Sequence, residues 1–287
     1  MYGFEISESR QGNLLKHNPR KRFGQNFLVD QSIINRIVDC INPRPEDLMI
    51  EIGPGLGAMT RPLLSRLNQL NVIELDRDII PKLILNCNVV DSENKNKLVV
   101  NEIDVLKFDF SDFFSRCNAG AEEQNRRKLR IVGNLPYNIS TPILFHLLQY
   151  RELIDDMHFM LQKEVVDRIV SAPGNKNYGR LSVMLQTYCS TQALFIVPPS
   201  AFKPAPKVNS AILRLQPDLK HDKQINNFTL YEKLVRQAFS QRRKTLKNTL
   251  KSICSAEQIE QSGLSPTQRA EELSITDFVS LYNSIHN

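Results

Sequence analysis

An α/β fold built on a mostly parallel sheet is predicted by three observations. Short β-rich runs alternate with helical patterns from Leu48 to Leu215, and a glycine-rich turn follows the first of these runs. The β signal then stops near Pro217, and only helical spacing remains beyond it. Seven runs read as strands: Leu48 to Ile52, Asn71 to Leu75, Leu98 to Ile103, Arg130 to Gly133, Met157 to Leu161, Ala193 to Val197 and Asn209 to Leu215. Between them Met59 to Leu67, Asp78 to Asn88, Thr141 to Gln149, Glu164 to Val170 and Arg180 to Thr187 carry apolar residues at helical spacing. The last two strands have no helix between them, which predicts an antiparallel hairpin at one edge of the sheet. Leu230 to Phe239, Lys244 to Ile253, Ala256 to Ser262 and Ile275 to Ile285 predict short helices. The expected organisation is therefore an α/β domain over residues 1–217 and a small all-α domain over 218–287. Residues 117–128 are polar and read as a solvated surface loop.

At 287 residues, with 41% hydrophobic and 24% charged, the chain has the composition of a globular protein and not of a disordered or fibrous one. Its longest apolar runs, Leu48 to Ile52 and Ala193 to Val197, fall far short of the roughly 18 residues of a membrane span, so no membrane partner is expected. The formal net charge of +6 suits a polyanionic partner, although many basic proteins bind no nucleic acid. The 5 cysteines are odd in number, widely spaced and free of any Cys-x-x-Cys pair, which predicts a reducing compartment and no metal. Cys40 and Cys87 sit in apolar helical patterns and read as small buried hydrophobes. The N-terminal segment lacks the apolar core of a secretory signal. Glu5 and Glu8 oppose a mitochondrial transit peptide, so a cytoplasmic location is expected, while Lys16, His17, Arg20, Lys21 and Arg22 keep the matrix open.

The run Ile50-Glu51-Ile52-Gly53-Pro54-Gly55-Leu56-Gly57 sets glycines at alternate positions between a strand and a helix. Glycine allows both a tight turn and close approach of a ligand to backbone. Glu74 ends the next strand, about 20 residues later, where nucleotide-type folds place an acid on ribose hydroxyls. The spacing differs from the dinucleotide pattern, and Pro54 offers no amide to a pyrophosphate. The implied cofactor is S-adenosylmethionine, which carries no phosphate. Asp104, at the end of the third strand, can accept from an adenine amino group or be a solvated charge.

Ile131-Val132-Gly133-Asn134-Leu135-Pro136-Tyr137 is the most informative stretch. The exocyclic amine of adenine is a poor nucleophile because its lone pair is delocalised into the ring. The Asn134 side-chain oxygen and a nearby main-chain carbonyl, in a loop stiffened by Pro136, can accept both amine hydrogens and aim the lone pair at a methyl group. Tyr137 offers a ring on which an extruded base can stack. Such a site works by positioning and needs no His, Asp or Cys. Taken alone the tetrapeptide is an ordinary turn after a strand; the preceding cofactor loop gives it its meaning.

With these motifs in order, the chain closely resembles the KsgA-type ribosomal RNA adenine dimethyltransferases, relatives of the Erm methyltransferases. Five stretches carry the match: Lys21 to Leu28, Glu51 to Gly57, Asn134 to Tyr137, Phe202 to Val208 and Phe239 to Leu246. The resemblance implies the class I methyltransferase fold, Rossmann-like, with the seven-stranded sheet and helical C-terminal domain already expected. It implies cofactor contacts at Asn26, Leu28, Gly53, Glu74, Asp104 and Asn134, to which the residues themselves add Gln25 and Gly55. Phe202 is expected to clamp the target adenine opposite Tyr137 or to pack between domains. Arg242, Arg243 and Lys244, read as helical, are expected to meet RNA phosphates together with Lys203 and Lys207, although a charge run is also what a solvated face looks like. The implied reaction is dimethylation of two adjacent adenines in the 3′-terminal loop of small-subunit ribosomal RNA, by a monomer acting on a partly assembled 30S subunit. An Erm-like enzyme acting on large-subunit RNA, and a non-catalytic nucleic-acid binder on the same fold, are the alternatives. The intact Asn134 to Tyr137 loop speaks against the second.

Overall fold

The computed structural model describes residues 26–87 and 97–286. Its strands are β1 (Phe27–Leu28), β2 (Leu48–Ile52), β3 (Leu70–Glu74), β4 (Leu98–Glu102), β5 (Leu129–Asn134), β6 (Ile154–Gln162), β7 (Cys189–Val197), β8 (Phe202–Lys203) and β9 (Ser210–Pro217). Seven of them form one sheet in the order β4-β3-β2-β5-β6-β9-β7, and β1 pairs with β8 in a separate two-stranded ribbon. β2 to β6 run parallel, whereas β9 is antiparallel to both β6 and β7. The expected edge hairpin is present, with its second strand inserted between the first and the rest of the sheet.

Alternation along the strands sorts side chains to two faces. In β2, Leu48, Ile50 and Ile52 enter one apolar cluster and Met49 enters the other. Helices α1 (Gln31–Ile41), α2 (Thr60–Leu64) and α3 (Ile80–Asn86) cover the Met49 face with Ile37, Leu63 and Leu83. Helices α4 (Phe110–Cys117), α5 (Ser140–Leu148), α6 (Lys163–Ile169) and α7 (Arg180–Tyr188) cover the other with Phe113, Leu144, Val166 and Val183. That second cluster continues without a break into α8 (Phe228–Ala238), α9 (Leu246–Thr249), α10 (Ala256–Gln261) and α11 (Ile275–His286), through Tyr231, Leu246, Ile259 and Phe278. Among the described residues no helix is long and apolar enough to cross a membrane.

Some expectations need correction. Helices α1 and α4 were not among the predicted spans, though each carries a start signal: Asp30 accepts from the Ser32 and Ile33 amides, and Asp109 from the Ser111 and Asp112 amides. Cys40 is exposed, because α1 buries Ile34, Ile37, Val38 and Ile41 and so turns residue 40 outward; Cys87 is buried as expected. Cys117 is the last residue of α4, and the polar stretch after it is tethered by Asn118, whose side chain bonds the Arg127 amide and carbonyl. Arg242, Arg243 and Lys244 lie in a turn between α8 and α9 and not on a helix. Backbone bonds to a distant segment hold the chain there, from the Leu246 amide to the Gln268 carbonyl and from the Lys247 amide to the Pro266 carbonyl. Those amides are the helix-starting donors that would otherwise bond within a continuous helix.

Candidate active site

The parallel strands all end at one edge, where such sheets place their ligands. The glycine loop leaves β2 there. Its first amide, Gly53, donates to the Ile73 carbonyl on β3, and the Gly57 amide closes a tight turn onto the Pro54 carbonyl, each at 3.0 Å. Gly53, Gly55 and Gly57 all have positive φ, at 66°, 56° and 91°. A side chain at Gly57 would also be strained against Cys87, whose sulfur would lie 2.9 Å from the new carbon. At Gly55 the corresponding carbon would touch the Phe27 ring at 3.3 Å, so β1 lies over the loop.

Three acids surround this loop. Glu74 is almost fully buried; it accepts the Asp76 amide at 2.8 Å, and the Leu75 and Gly55 amides also lie on it. Burial raises its pKa against the pull of those amides. Glu51 on β2, which pairs with Val72 of β3 and so shares the sheet face of Glu74, is not among the expected site residues. It is 1% exposed, accepts the Thr60 hydroxyl at 2.7 Å, and has its pKa pushed up to about 7 by burial, with Thr60 opposing and the Glu74 charge adding to the rise. Asp104 caps the short turn Val105–Lys107 by accepting the Leu106 amide at 3.0 Å. Close to Glu74 and Asp104 in sequence, Leu75 and Leu106 are exposed at 51% and 37%, apolar side chains just past the ends of β3 and β4. The sequence signal for this exposure is a leucine placed just past the strand end, in Glu74-Leu75, where a solvated residue is the usual choice.

The second loop leaves β5, next to β2, with Gly133 opposite Ile52. Gly133 is required by that proximity: a side-chain carbon there would sit 2.5 Å from the Ile52 carbonyl oxygen. Asn134 follows, and its Nδ2 donates to the Asn26 carbonyl at 3.3 Å, so one end of the amide is held and Oδ1 is the end left for a substrate donor. Leu135 is buried and its amide donates to the Met160 carbonyl at 3.2 Å, while the Pro136 carbonyl accepts the Ile139 amide at 3.1 Å. Tyr137 is half-buried, with its hydroxyl 2.8 Å from Ser210 Oγ. The two loops face each other: a carbon added at Gly53 would lie 3.8 Å from the Asn134 carbonyl oxygen.

Asn26, Gly53, Gly55, Glu74, Asp104 and Asn134 are thus collected at one rim. Leu28 is buried and pairs with Phe202 across the β1–β8 ribbon, anchoring the segment that carries Asn26. Phe202 itself is 2% exposed, covered by that pairing and packed into the apolar cluster of α1, so its ring is not open to a base in this conformation. Lys203 and Lys207 are exposed on the segment leading into β9. Arg242, Arg243 and Lys244 are exposed elsewhere: Arg242 donates to the Lys176 carbonyl at 2.5 Å and approaches Glu271 at 4.0 Å. Gln25 lies outside the described residues.

The family model "Ribosomal RNA adenine dimethylase" matches residues 16–287. The chain is 48% identical over 269 residues to the ribosomal RNA small subunit methyltransferase A of Haemophilus ducreyi, covering 94% of this chain and 90% of that protein. Its counterpart in Chromobacterium violaceum is 49% identical over 272 residues, covering 95% and 97%. Among solved structures, a dimethyladenosine transferase from Plasmodium falciparum superposes with a TM-score of 0.72 at 26% identity, covering 88% of this chain and 95% of that one. The 23S rRNA methyltransferase ErmE shares the fold, with a TM-score of 0.64 at 23% identity over 91% of this chain and all of that one. With the two facing loops and a match spanning nearly its whole length, this chain belongs to the ribosomal RNA adenine dimethylase family.

Proposed function

We propose that this chain dimethylates the exocyclic amino groups of two adjacent adenines in the 3′-terminal hairpin loop of small-subunit (16S) ribosomal RNA, with S-adenosylmethionine as methyl donor. The observation that carries this reading is the facing pair of loops on neighbouring strands, with Gly53 opposite the Asn134 carbonyl and the Asn134 amide held by Asn26. The residues present suit the donor: carboxylates for ribose hydroxyls at Glu74 and for an adenine amino group at Asp104, exposed apolar side chains for a purine face at Leu75 and Leu106, and a side-chain-free approach at Gly53. When bound, that donor supplies an electrophilic methyl on a sulfonium.

The protein's own part is positioning. Asn134 Oδ1 accepts one amino hydrogen of the adenine and a main-chain carbonyl of the loop the other, which relocalises the nitrogen lone pair. Leu135, sunk in the core, fixes the height of the loop, and Tyr137 supplies the stacking face. A Phe202 clamp on the opposite face would need the β1–β8 pair to open. The adenines must leave their stack, and extrusion costs least from an unpaired loop. In this scheme residues 1–217 perform the chemistry and 218–287 hold RNA or ribosome, with Arg242, Arg243, Lys244, Lys203 and Lys207 on phosphates. The protein acts as a monomer in the cytoplasm on a partly assembled 30S subunit. The similarity to relatives named for the small subunit favours it over large-subunit RNA.

The test is methyl transfer from labelled donor to separately purified unmethylated small and large subunits, followed by nucleoside mass spectrometry. Label in small-subunit RNA as N6,N6-dimethyladenosine is expected; label confined to the large subunit overturns the assignment.

A further inference from the structure

Tyr137 is held at both ends. Its carbonyl accepts the hydroxyl of Ser140 at 3.3 Å, and its phenol meets the hydroxyl of Ser210 at 2.8 Å. Ser140 and Ser210 are themselves buried, at 2% and 0% exposure. Ser210 is the first residue of β9, the strand flanked on both sides, and pairs with Gln162 of β6 and Val197 of β7. Its position is therefore set by two ladders and not by a loop. With the backbone and the hydroxyl both held, the long axis of the ring is fixed, because the phenol oxygen lies on that axis, whereas a ring held at the backbone alone can swing about its side-chain torsions. Stacking an extruded base on a ring already in place costs less ordering than stacking on a mobile one.

We propose that Ser210 is a positioning residue for methyl transfer: its hydroxyl fixes the axis, and with it the position, of the Tyr137 ring on which the target adenine stacks. This rests on the base-stacking role of Tyr137 in the preceding section. The edge hairpin thereby becomes part of the reaction geometry, although β9 contributes no group that touches substrate.

The test uses the full-length protein, S-adenosylmethionine and small-subunit RNA, with the variants Ser210→Ala, Tyr137→Phe, the double variant and Tyr137→Ala. Ser210→Ala and Tyr137→Phe are each expected to lower kcat about tenfold with KM for RNA nearly unchanged, the scale of one lost hydrogen bond. The double variant should be no slower than either single one, since both remove the same bond. With 2-aminopurine at the target position, both should weaken the fluorescence quenching that accompanies stacking in the wild-type complex. Single effects that multiply in the double variant, or wild-type kcat and quenching in Tyr137→Phe, overturn the proposal. Should Ser210→Ala fail to fold, Tyr137→Phe decides by itself, since it keeps the ring and loses only the hydroxyl. Tyr137→Ala separates the two claims: loss of transfer there with normal Tyr137→Phe refutes only the Ser210 role, while full activity in Tyr137→Ala refutes stacking on Tyr137 altogether.

Discussion

The strand-end rim and the basic turn at 241–244, to which the proposed function gives the chemistry and the RNA contact, are built in opposite ways. At the rim almost every residue is constrained by backbone: positive φ in the glycine loop, a carbonyl against Gly133, a buried Leu135, and carboxylates tied to main-chain amides. In the turn the side chains of Arg242, Arg243 and Lys244 are exposed; Arg242 bonds the Lys176 carbonyl, and the backbone is held just beyond the three, at Leu246 and Lys247. Chemistry that depends on sub-ångström placement needs the first kind of region, while attraction of a polyanion needs only charge and exposure. The difference teaches that substitutions at the rim should act on rate or folding, and those in the turn on RNA affinity alone.

The largest effect expected is at Asn134. Replacing it with Ala should lower transfer by about 10²- to 10³-fold, as loss of one preorganised polar group does, with RNA binding unchanged within a few fold. Single-turnover rates beside gel-shift affinities measure it, and retained activity would remove the basis for contrasting the two regions. Next comes Gly133→Ala, where the new carbon meets backbone that cannot rotate away. A loss of about 1–3 kcal/mol in unfolding free energy is expected from denaturant titration, and a neutral result would mean that β2 and β5 can part more easily than their register suggests.

A comparable change, visible only as a function of pH, is expected from Glu51→Gln. The folded pKa of Glu51 is raised to about 7, so the folded state binds the proton more tightly than the unfolded chain does. Its contribution to stability is therefore fully present below the unfolded value near 4.5 and is lost as pH rises through 7. Glu51→Gln should remove this decline, leaving the variant more stable than wild type relative to their difference at acid pH, as denaturant midpoints between pH 5 and pH 8 would reveal. The smallest effect belongs to the turn. Arg243→Ala should reduce the slope of log affinity against log salt by about 0.7 to 0.9, one phosphate contact, with kcat on saturating RNA unchanged. An unchanged slope would put the RNA surface elsewhere and break the contrast from the other side.

The resemblance to known enzymes and the residues together made the rim legible because its constraints are local. A tight turn demands glycine at Gly57 and Pro136 stiffens the loop wherever the rest of the chain lies, whereas the demand at Gly133 comes from the Ile52 carbonyl on a strand remote in sequence. Leu75, Leu106 and Glu51 escaped notice because exposure of a leucine and burial of a glutamate are decided by neighbours remote in sequence. The helix expected to carry Arg242, Arg243 and Lys244 is absent for the same kind of reason: the Leu246 and Lys247 amides are taken by Gln268 and Pro266, and α9 starts only at Leu246.

The sequence by itself determined the seven strands of the main sheet, the expected edge hairpin and the two motif loops, since periodicity and glycine or proline requirements are properties of short segments. Only the tertiary structure decided that Phe27 and Leu28 pair with Lys203 and Phe202, that Asn26 holds the amide of Asn134, and that Ser210 meets Tyr137. These partners are brought together by strand order in the sheet and by the packing of α1 on its face. An alternating apolar pattern says which residues face the core, and leaves open which other strand they will find there.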